Sequence, residues 1–162
     1  MRVLFAGTPE IAVPSLQELK QTHTVVGVLT SPDRAAGRGR QVVASPVKLA
    51  AQEMGLPVLQ PDRLNAAARA EVNDLVPELL VVFAYGKIFG PKFLSLFPKG
   101  GINLHPSLLP RHRGPSPIPA AILAGDSETG ITVQEISLEM DAGDILEQVV
   151  IPLDGSETAE SL

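Results

Sequence analysis

The chain has 162 residues, with 13 Lys and Arg against 18 Asp and Glu, and a formal net charge of −5 at pH 7. This length is typical of one domain with a substantial core. There are no cysteines, which excludes disulfides, thiolate metal sites and cysteine nucleophiles and is typical of a cytoplasmic protein. No apolar run reaches the roughly 18 residues of a membrane span, so we expect a cytoplasmic location and no membrane partner.

The net charge conceals a division along the sequence. All 13 basic residues lie in residues 1–113 beside 8 acids, which gives this part a charge of +5. Residues 114–162 hold 10 acids and no Lys or Arg, a charge of −10. An acidic total usually argues against nucleic-acid binding, but the basic first part keeps such a partner open.

Apolar periodicity and turn residues predict strands that alternate with helices. The predicted strands are residues 2–6, 24–30, 56–60, 78–83, 101–105, 130–136 and 145–151. The predicted helices are residues 11–19, 46–54, 66–75 and 120–124. This alternation predicts one α/β domain with an open, mostly parallel, doubly wound sheet.

The first turn, Gly7-Thr8-Pro9, joins a predicted strand to a predicted helix. Its backbone N–H groups could hold an anion or a polar ligand. The turn lacks the three glycines of a dinucleotide fingerprint, so we do not expect an NAD site. A purely structural turn is the alternative.

Residues 31–48 form a polar, glycine-interrupted segment that we expect to be a flexible loop. Arginine forks grip phosphate oxygens, so a basic loop of this kind fits a nucleic-acid backbone. A solvated loop without a ligand is the alternative. The basic side chains of the segment are Arg34, Arg38, Arg40 and Lys48.

Asn103 and His105 lie at the carboxyl end of a predicted strand and share one of its faces, since alternate strand residues point the same way. Open α/β sheets bind ligands at that edge. An Asn amide can donate to a developing oxyanion, and a His can transfer a proton near neutral pH. The alternative is an Asn–His pair that closes the strand end structurally.

A carboxylate near the imidazole would orient it and favour its charged form. Asp141 and Asp144 are both candidates, and spacing does not separate them. The three histidines are scattered along the chain and there is no cysteine, so we expect no metal site.

Several motifs together resemble the formyltransferases that use 10-formyltetrahydrofolate. The resemblance covers essentially all 162 residues. The motifs that carry it are FAGTP at residue 5, SPDRAAGRGR at 31, SPVK at 45, VFAYG at 82, NLHPSLLPRHRG at 103, GDSETG at 125 and MDAGD at 140.

The resemblance implies that Asn103, His105 and Asp141 are catalytic, which selects Asp141 over Asp144. It implies folate contacts from Gly86, Lys87, Ile88 and Phe89, from Ser107, Leu108, Leu109 and Pro110, and from Met140 and Asp144. It also implies contacts to tRNA or its aminoacyl end from Gly7, Thr8, Pro9, Arg34, Arg38, Arg40 and Arg111.

Within the family, the chain is most similar to members that formylate the methionyl amine of initiator tRNA, a step of translation initiation. The resemblance implies a monomer that takes 10-formyltetrahydrofolate as co-substrate without a metal. It also implies that residues 1–162 are most of the catalytic domain of a longer enzyme, whose C-terminal β-rich tRNA-binding domain is absent from this sequence. The alternatives are formyl transfer to a small-molecule amine, formyltetrahydrofolate hydrolysis, or a non-catalytic module that binds folate or RNA.

Overall fold

Strand β1 (Arg2–Gly7) is the central strand of the first of two structural units, Met1–Gly101. It pairs in parallel with β2 (Thr24–Leu29) and β6 (Leu79–Phe83), and β2 pairs in parallel with the short β5 (Val58–Leu59). The computed structural model describes residues 1–36 and 41–162. Continuous burial of β1 from Val3 to Ala6 explains why its sequence is an unbroken apolar run, since both faces of a parallel strand are covered.

Helices connect these strands, and two of them begin at side-chain caps. Ser45 accepts a hydrogen bond from the Lys48 N–H, and Asn65 accepts one from the Ala68 N–H. Each bond satisfies a donor that the first helical turn leaves free. The helices of this unit are α1 (Val13–Thr22), which follows a 3-10 turn at Glu10–Ala12, α2 (Pro46–Glu53), α3 (Ala66–Asp74) and α4 (Pro91–Leu94).

The segment predicted to be a flexible loop, residues 31–48, differs from that expectation. It contains two short antiparallel strands, β3 (Arg34–Ala36) and β4 (Gln41–Val43). Two consecutive β-branched residues, Val42 and Val43, favour a strand over a loop. Arg38 and Arg40 lie outside the described residues.

Four aromatic rings form a column in residues 85–97. The ring centroids of Tyr85 and Phe89 are 5.5 Å apart, those of Phe89 and Phe93 5.1 Å, and those of Phe93 and Phe97 5.7 Å. All four side chains are buried. Because a helix as short as α4 has little stability alone, these contacts account for its presence, which the sequence analysis did not predict.

The second unit, Ile102–Leu162, is antiparallel. Strand β7 (Gly101–His105) pairs with β8 (Glu128–Glu135), which in turn pairs with β9 (Ile145–Pro152). The predicted α/β class with an open, mostly parallel sheet is confirmed; the antiparallel pairs described are β7–β8 and β8–β9 here and the separate β3–β4 pair of the first unit.

Helix α5 (Pro117–Ala124) precedes β8 and begins three residues before the predicted start at residue 120. Its first turn contains Pro117 and Pro119, and proline is tolerated there because the first turn needs no N–H partner. Gly125 ends the helix in the left-handed conformation, with φ 65°. Among residues 1–36 and 41–162, none of the helices has the length and apolar character that crossing a bilayer requires.

Tyr85 offers a direct test of burial in the first unit. Burial raises the pKa of Tyr85 to about 12, and its hydroxyl has no hydrogen-bond partner among the described residues. The chain has one tyrosine and no tryptophan, so phenolate absorbance reports this residue alone. We expect a titration midpoint near pH 12 in the folded chain and near pH 10 in urea.

The same shift predicts how stability depends on pH. Because the folded-state pKa is raised, the contribution of Tyr85 is fully present below about pH 10 and is lost as the pH rises toward 12. The Tyr85→Phe variant should lack this alkaline loss of unfolding free energy in urea titrations. A folded-state midpoint near 10 would contradict the burial of this hydroxyl.

Candidate active site

The candidate site is built on the shared face of β7 and β8. In the antiparallel register Asn103 lies opposite Gln134 and His105 opposite Thr132, so these four side chains project to the same face. His105, Thr132 and Gln134 are buried, and Asn103 is half-buried. Burying polar groups is costly unless they are paired, so a buried polar row of this kind indicates either a functional site or a tight internal network.

Asp141 is the carboxylate that lies against His105. Its Oδ1 is 3.6 Å from His105 Nδ1, and the two side chains are 12% and 5% exposed. Asp144, the other candidate from the sequence, is exposed, and its backbone carbonyl accepts a hydrogen bond from the Glu135 N–H. The structure thus pairs His105 with Asp141, the residue that the resemblance selects.

Two further donors fix the Asp141 carboxylate. The Gly114 N–H donates to Oδ2 at 2.9 Å, and the Gln134 side-chain amide donates to Oδ1 at 3.1 Å. Asp141 also has a left-handed backbone, with φ 50°, a conformation that Asp tolerates better than most residues. Such strain persists where surrounding contacts enforce it, and it concentrates at functional sites.

The second nitrogen of His105 also faces an oxygen. His105 Nε2 lies 2.9 Å from the backbone carbonyl of His112. A carbonyl oxygen can only accept, so Nε2 carries the hydrogen, while Nδ1 faces the carboxylate. Both ring nitrogens of His105 therefore face an oxygen, the His112 carbonyl on one side and the Asp141 carboxylate on the other.

Thr132 organises the segment predicted to contact folate, residues 107–110. Its hydroxyl donates to the Ser107 carbonyl at 2.7 Å and accepts from the Leu109 N–H at 3.1 Å and the Gln148 amide at 2.8 Å. Within the segment, Ser107 and Leu109 are buried, Leu108 is half-buried and Pro110 is exposed.

Three supporting residues were missed by the sequence analysis: Thr132, Gln134 and Gln148. A signal was present for the first two. They alternate with Ile131 and Val133 along β8, and this period of two places both on one strand face. For Gln148 the sequence carries no comparable signal, since β9 is largely exposed.

In the loop after β8, Asp141 follows two exposed apolar residues. Leu138 and Met140 are 70% and 55% exposed, and both lie in the loop that the resemblance assigns to folate. Gly143 anchors this loop, because a Cβ at this position would lie 1.8 Å from the Glu135 carbonyl oxygen.

The candidate residues near the amino end, Gly7, Thr8 and Pro9, lie in the first unit. Thr8 Oγ1 lies 3.2 Å from Ser31 Oγ and 3.3 Å from the Tyr85 carbonyl, to which it donates. Gly7 is buried, and a Cβ there would approach the Phe83 carbonyl oxygen to 2.9 Å. Pro9 is exposed.

The stretch 86–89, also a candidate for folate contacts, divides between core and surface. The Lys87 ammonium donates to the carbonyls of Pro61 and Asp62, and burial is the main cause that lowers its pKa. Phe89 is buried in the aromatic column, Ile88 is 77% exposed and Gly86 is exposed.

Arg34, the described arginine of the β3–β4 hairpin, is exposed. The base of that hairpin is fixed by Asp33, which accepts from Lys48 at 2.5 Å and from the Gln60 amide at 2.7 Å. The hydrogen bond from Lys48, followed by that from Gln60, lowers the pKa of Asp33, so the carboxylate is charged at neutral pH.

Arg111 is the other described arginine among the tRNA candidates and lies in the second unit. It is exposed and pairs with Asp126 at 2.5 Å.

Residues 1–162 match the model of the formyl transferase family, and the chain therefore belongs to that family. It is 53% identical over 170 aligned residues to a methionyl-tRNA formyltransferase of Treponema denticola and 56% identical over 171 to one of Treponema pallidum. Both alignments cover 100% of this chain and 53% of the relative. The chain thus spans about half the length of these relatives.

Solved structures agree on the fold. A phosphoribosylglycinamide formyltransferase from Streptococcus pneumoniae superposes with a TM-score of 0.79 at 22% identity, covering 99% of this chain and 86% of that one. A glycinamide ribonucleotide transformylase from Geobacillus kaustophilus gives 0.75 at 26% identity, covering 98% and 86%. The predicted Rossmann-like formyltransferase fold is confirmed.

Gly143→Ala tests whether the loop that carries Asp141 depends on close packing at Gly143. The added Cβ must displace the Glu135 carbonyl or the loop itself, and such overpacking typically costs about 1–3 kcal/mol of unfolding free energy. Urea denaturation measures this loss. Gly90→Ala is the matched control, because nothing lies within 4 Å of a Cβ there; equal stability of the two variants would contradict the close approach.

Proposed function

We propose that this chain carries the catalytic site of a methionyl-tRNA formyltransferase, which transfers a formyl group from 10-formyltetrahydrofolate to the amino group of methionyl initiator tRNA. The observation that carries the proposal is the His105–Asp141 pair beside Asn103 on one strand face. Relatives that bear this name and exceed 50% identity across the whole chain support the choice of substrate.

In this proposal the folate supplies a formyl group already activated for transfer. Asn103 is placed to donate its amide hydrogen to the formyl oxygen as negative charge develops there, an interaction that is typically worth ~10²–10³ in rate. The amine nitrogen bonds to the formyl carbon as the bond from that carbon to N10 breaks. The proton that the amine loses is matched by the one that N10 gains, so the transfer needs no oxidant or reductant.

In this proposal His105, held against Asp141, accepts the proton that the attacking amine loses or, as imidazolium, stabilises the oxyanion. The low exposure of the pair strengthens its electrostatic effect. Asp141 keeps the ring oriented, and its own charge is supported by Gly114 and Gln134. These residues therefore stabilise charge without a metal.

The fit of the folate is supported by the character of two segments. Leu138 and Met140 offer exposed apolar side chains beside Asp141, which suit the flat ring of a pterin, and residues 107–110 offer backbone groups near His105. We propose that these segments contact the folate. We further propose that Gly7, Thr8, Pro9, Arg34 and Arg111 contact the tRNA, that the chain is a monomer, and that residues 1–162 belong to the catalytic domain of a longer enzyme.

Substitution of the proposed catalytic residues tests the assignment. Asn103→Ala and His105→Ala should each lower formyl transfer to methionyl-tRNA by at least about 10²-fold. The assay mixes the chain with 10-formyltetrahydrofolate and methionyl-tRNA and quantifies formylmethionyl product.

His23→Ala and Asn73→Ala are the matched controls, since neither residue belongs to the proposed site. Asn103 is only half-buried, so Asn103→Ala should fold and remain informative even if His105→Ala does not. Near wild-type turnover in Asn103→Ala would overturn its role. Release of formate from the folate alone would instead favour a hydrolase.

Salt dependence separates a tRNA acceptor from a small-molecule amine. Binding that neutralises phosphates weakens steeply with added salt, whereas binding of a small neutral amine does not. The KM for methionyl-tRNA should rise steeply with salt, and Arg34→Ala should reduce the slope of log KM against log salt by about one. Lys92→Ala, an equal change of charge on α4, should leave the slope unchanged; a flat wild-type response would argue against tRNA.

A further inference from the structure

Residues 110–114 form a loop that carboxylates hold from two sides. On one side Asp126 accepts hydrogen bonds from Arg111 Nη2 at 2.5 Å and from His112 Nε2 at 2.6 Å. On the other side Asp141 accepts from the Gly114 N–H at 2.9 Å. The Asp126 side chain is only 7% exposed, unlike the carboxylates of ordinary surface ion pairs.

The loop contributes a main-chain atom to the site. The His112 carbonyl accepts the hydrogen of His105 Nε2 at 2.9 Å. His112 therefore connects Asp126, through its side chain, to His105, through its backbone. Its own backbone is left-handed, with φ 54°, a conformation that costs roughly 1–2 kcal/mol for a residue with a Cβ and so needs outside contacts to persist.

We propose that Asp126 is a positioning residue for His105, acting through His112. By fixing the His112 side chain, Asp126 holds the carbonyl where it orients the His105 ring, while Asp141 holds the opposite ring nitrogen. His105 is thus held between two carboxylates, one acting directly and one through the loop. This inference rests on the proposed function for its kinetic consequence, although the hydrogen-bond path stands independently of it.

The charge on Asp126 is consistent with this role. The hydrogen bond from His112, aided by the charge of Arg111, lowers the pKa of Asp126. The carboxylate is therefore ionised at neutral pH and accepts two charge-assisted hydrogen bonds, which are stronger than neutral ones. Replacement by Asn keeps the shape and removes that charge.

Asp126→Asn in the full chain should lower kcat for formyl transfer by about 10–100-fold, since small misplacements of catalytic groups cost on this order. The kcat at saturating substrates is the informative value, because the released Arg111 can alter the KM for tRNA. Glu78→Gln is the matched control: Glu78 also has a lowered pKa and pairs with Lys99, but within the first unit. Its kcat should be unchanged.

A second readout does not depend on activity. The chain has three histidines, so their ring nitrogen signals can be resolved by NMR on 15N-histidine-labelled protein and assigned with His23→Gln. In Asp126→Asn the His105 Nε2–H should exchange with water faster than in the wild type, and in Glu78→Gln it should not. His112→Phe, which keeps the carbonyl but loses the bond to Asp126, should act in the same direction and be non-additive with Asp126→Asn.

The outcomes separate the two proposals. If the wild type transfers no formyl group but the His105 signal responds to Asp126→Asn, the proposed function fails and the positioning role stands. If the wild type is active while kcat and the His105 signal are unchanged in the variant, the positioning role is overturned. Should Asp126→Asn not fold, His112→Phe decides the question by the same two measurements.

Discussion

The carboxylate of Asp141 is the contact on which the arrangement of the second unit depends. A carboxylate with 12% exposure is unfavourable unless polar partners surround it, and here the partners come from three stretches of chain: β7 supplies His105, the 110–114 loop supplies the Gly114 N–H, and β8 supplies Gln134. Meeting the needs of one carboxylate thus fixes three segments at once. The strained φ of Asp141 is a cost that these three contacts offset.

Most of the secondary structure could be predicted because local pattern and final environment agree. The run at β1 is apolar since both faces are buried, and the Ser45-Pro46 pair starts α2 as its chemistry requires. The β3–β4 hairpin and α4 were missed because each is short. Their stability comes from pairing or from aromatic contacts between distant turns, which periodicity over a few residues does not reveal.

The residues of the candidate site also differ in whether the sequence alone could predict them. The strand period is enough to put Asn103 and His105 on one face, and family resemblance adds Asp141 to them. The same strand period places Thr132 and Gln134 on one face of β8, but neither signal shows what these two residues contact, and neither leads to Asp126, since the contacts arise only in the folded register. The structure also explains part of the charge division along the sequence. In the acidic residues 114–162, Asp126 and Asp141 bind cationic or polar groups of the site, so part of the negative charge of this segment stabilises the site.

The antiparallel ladder of β8 makes the site sensitive to strand register. Thr132 and Gln134 face the site only in the observed alignment, and a slip of one residue would turn both to the opposite face. A misaligned chain could keep much of its backbone bonding and still lose the entire polar network. Two features oppose this: the irregularity between Val133 and Gln134 in the β8–β9 pairing, and Gly130, where a Cβ would lie 2.0 Å from the Val149 carbonyl oxygen. The polar network of the site therefore requires the correct strand register in addition to the energy of the backbone hydrogen bonds.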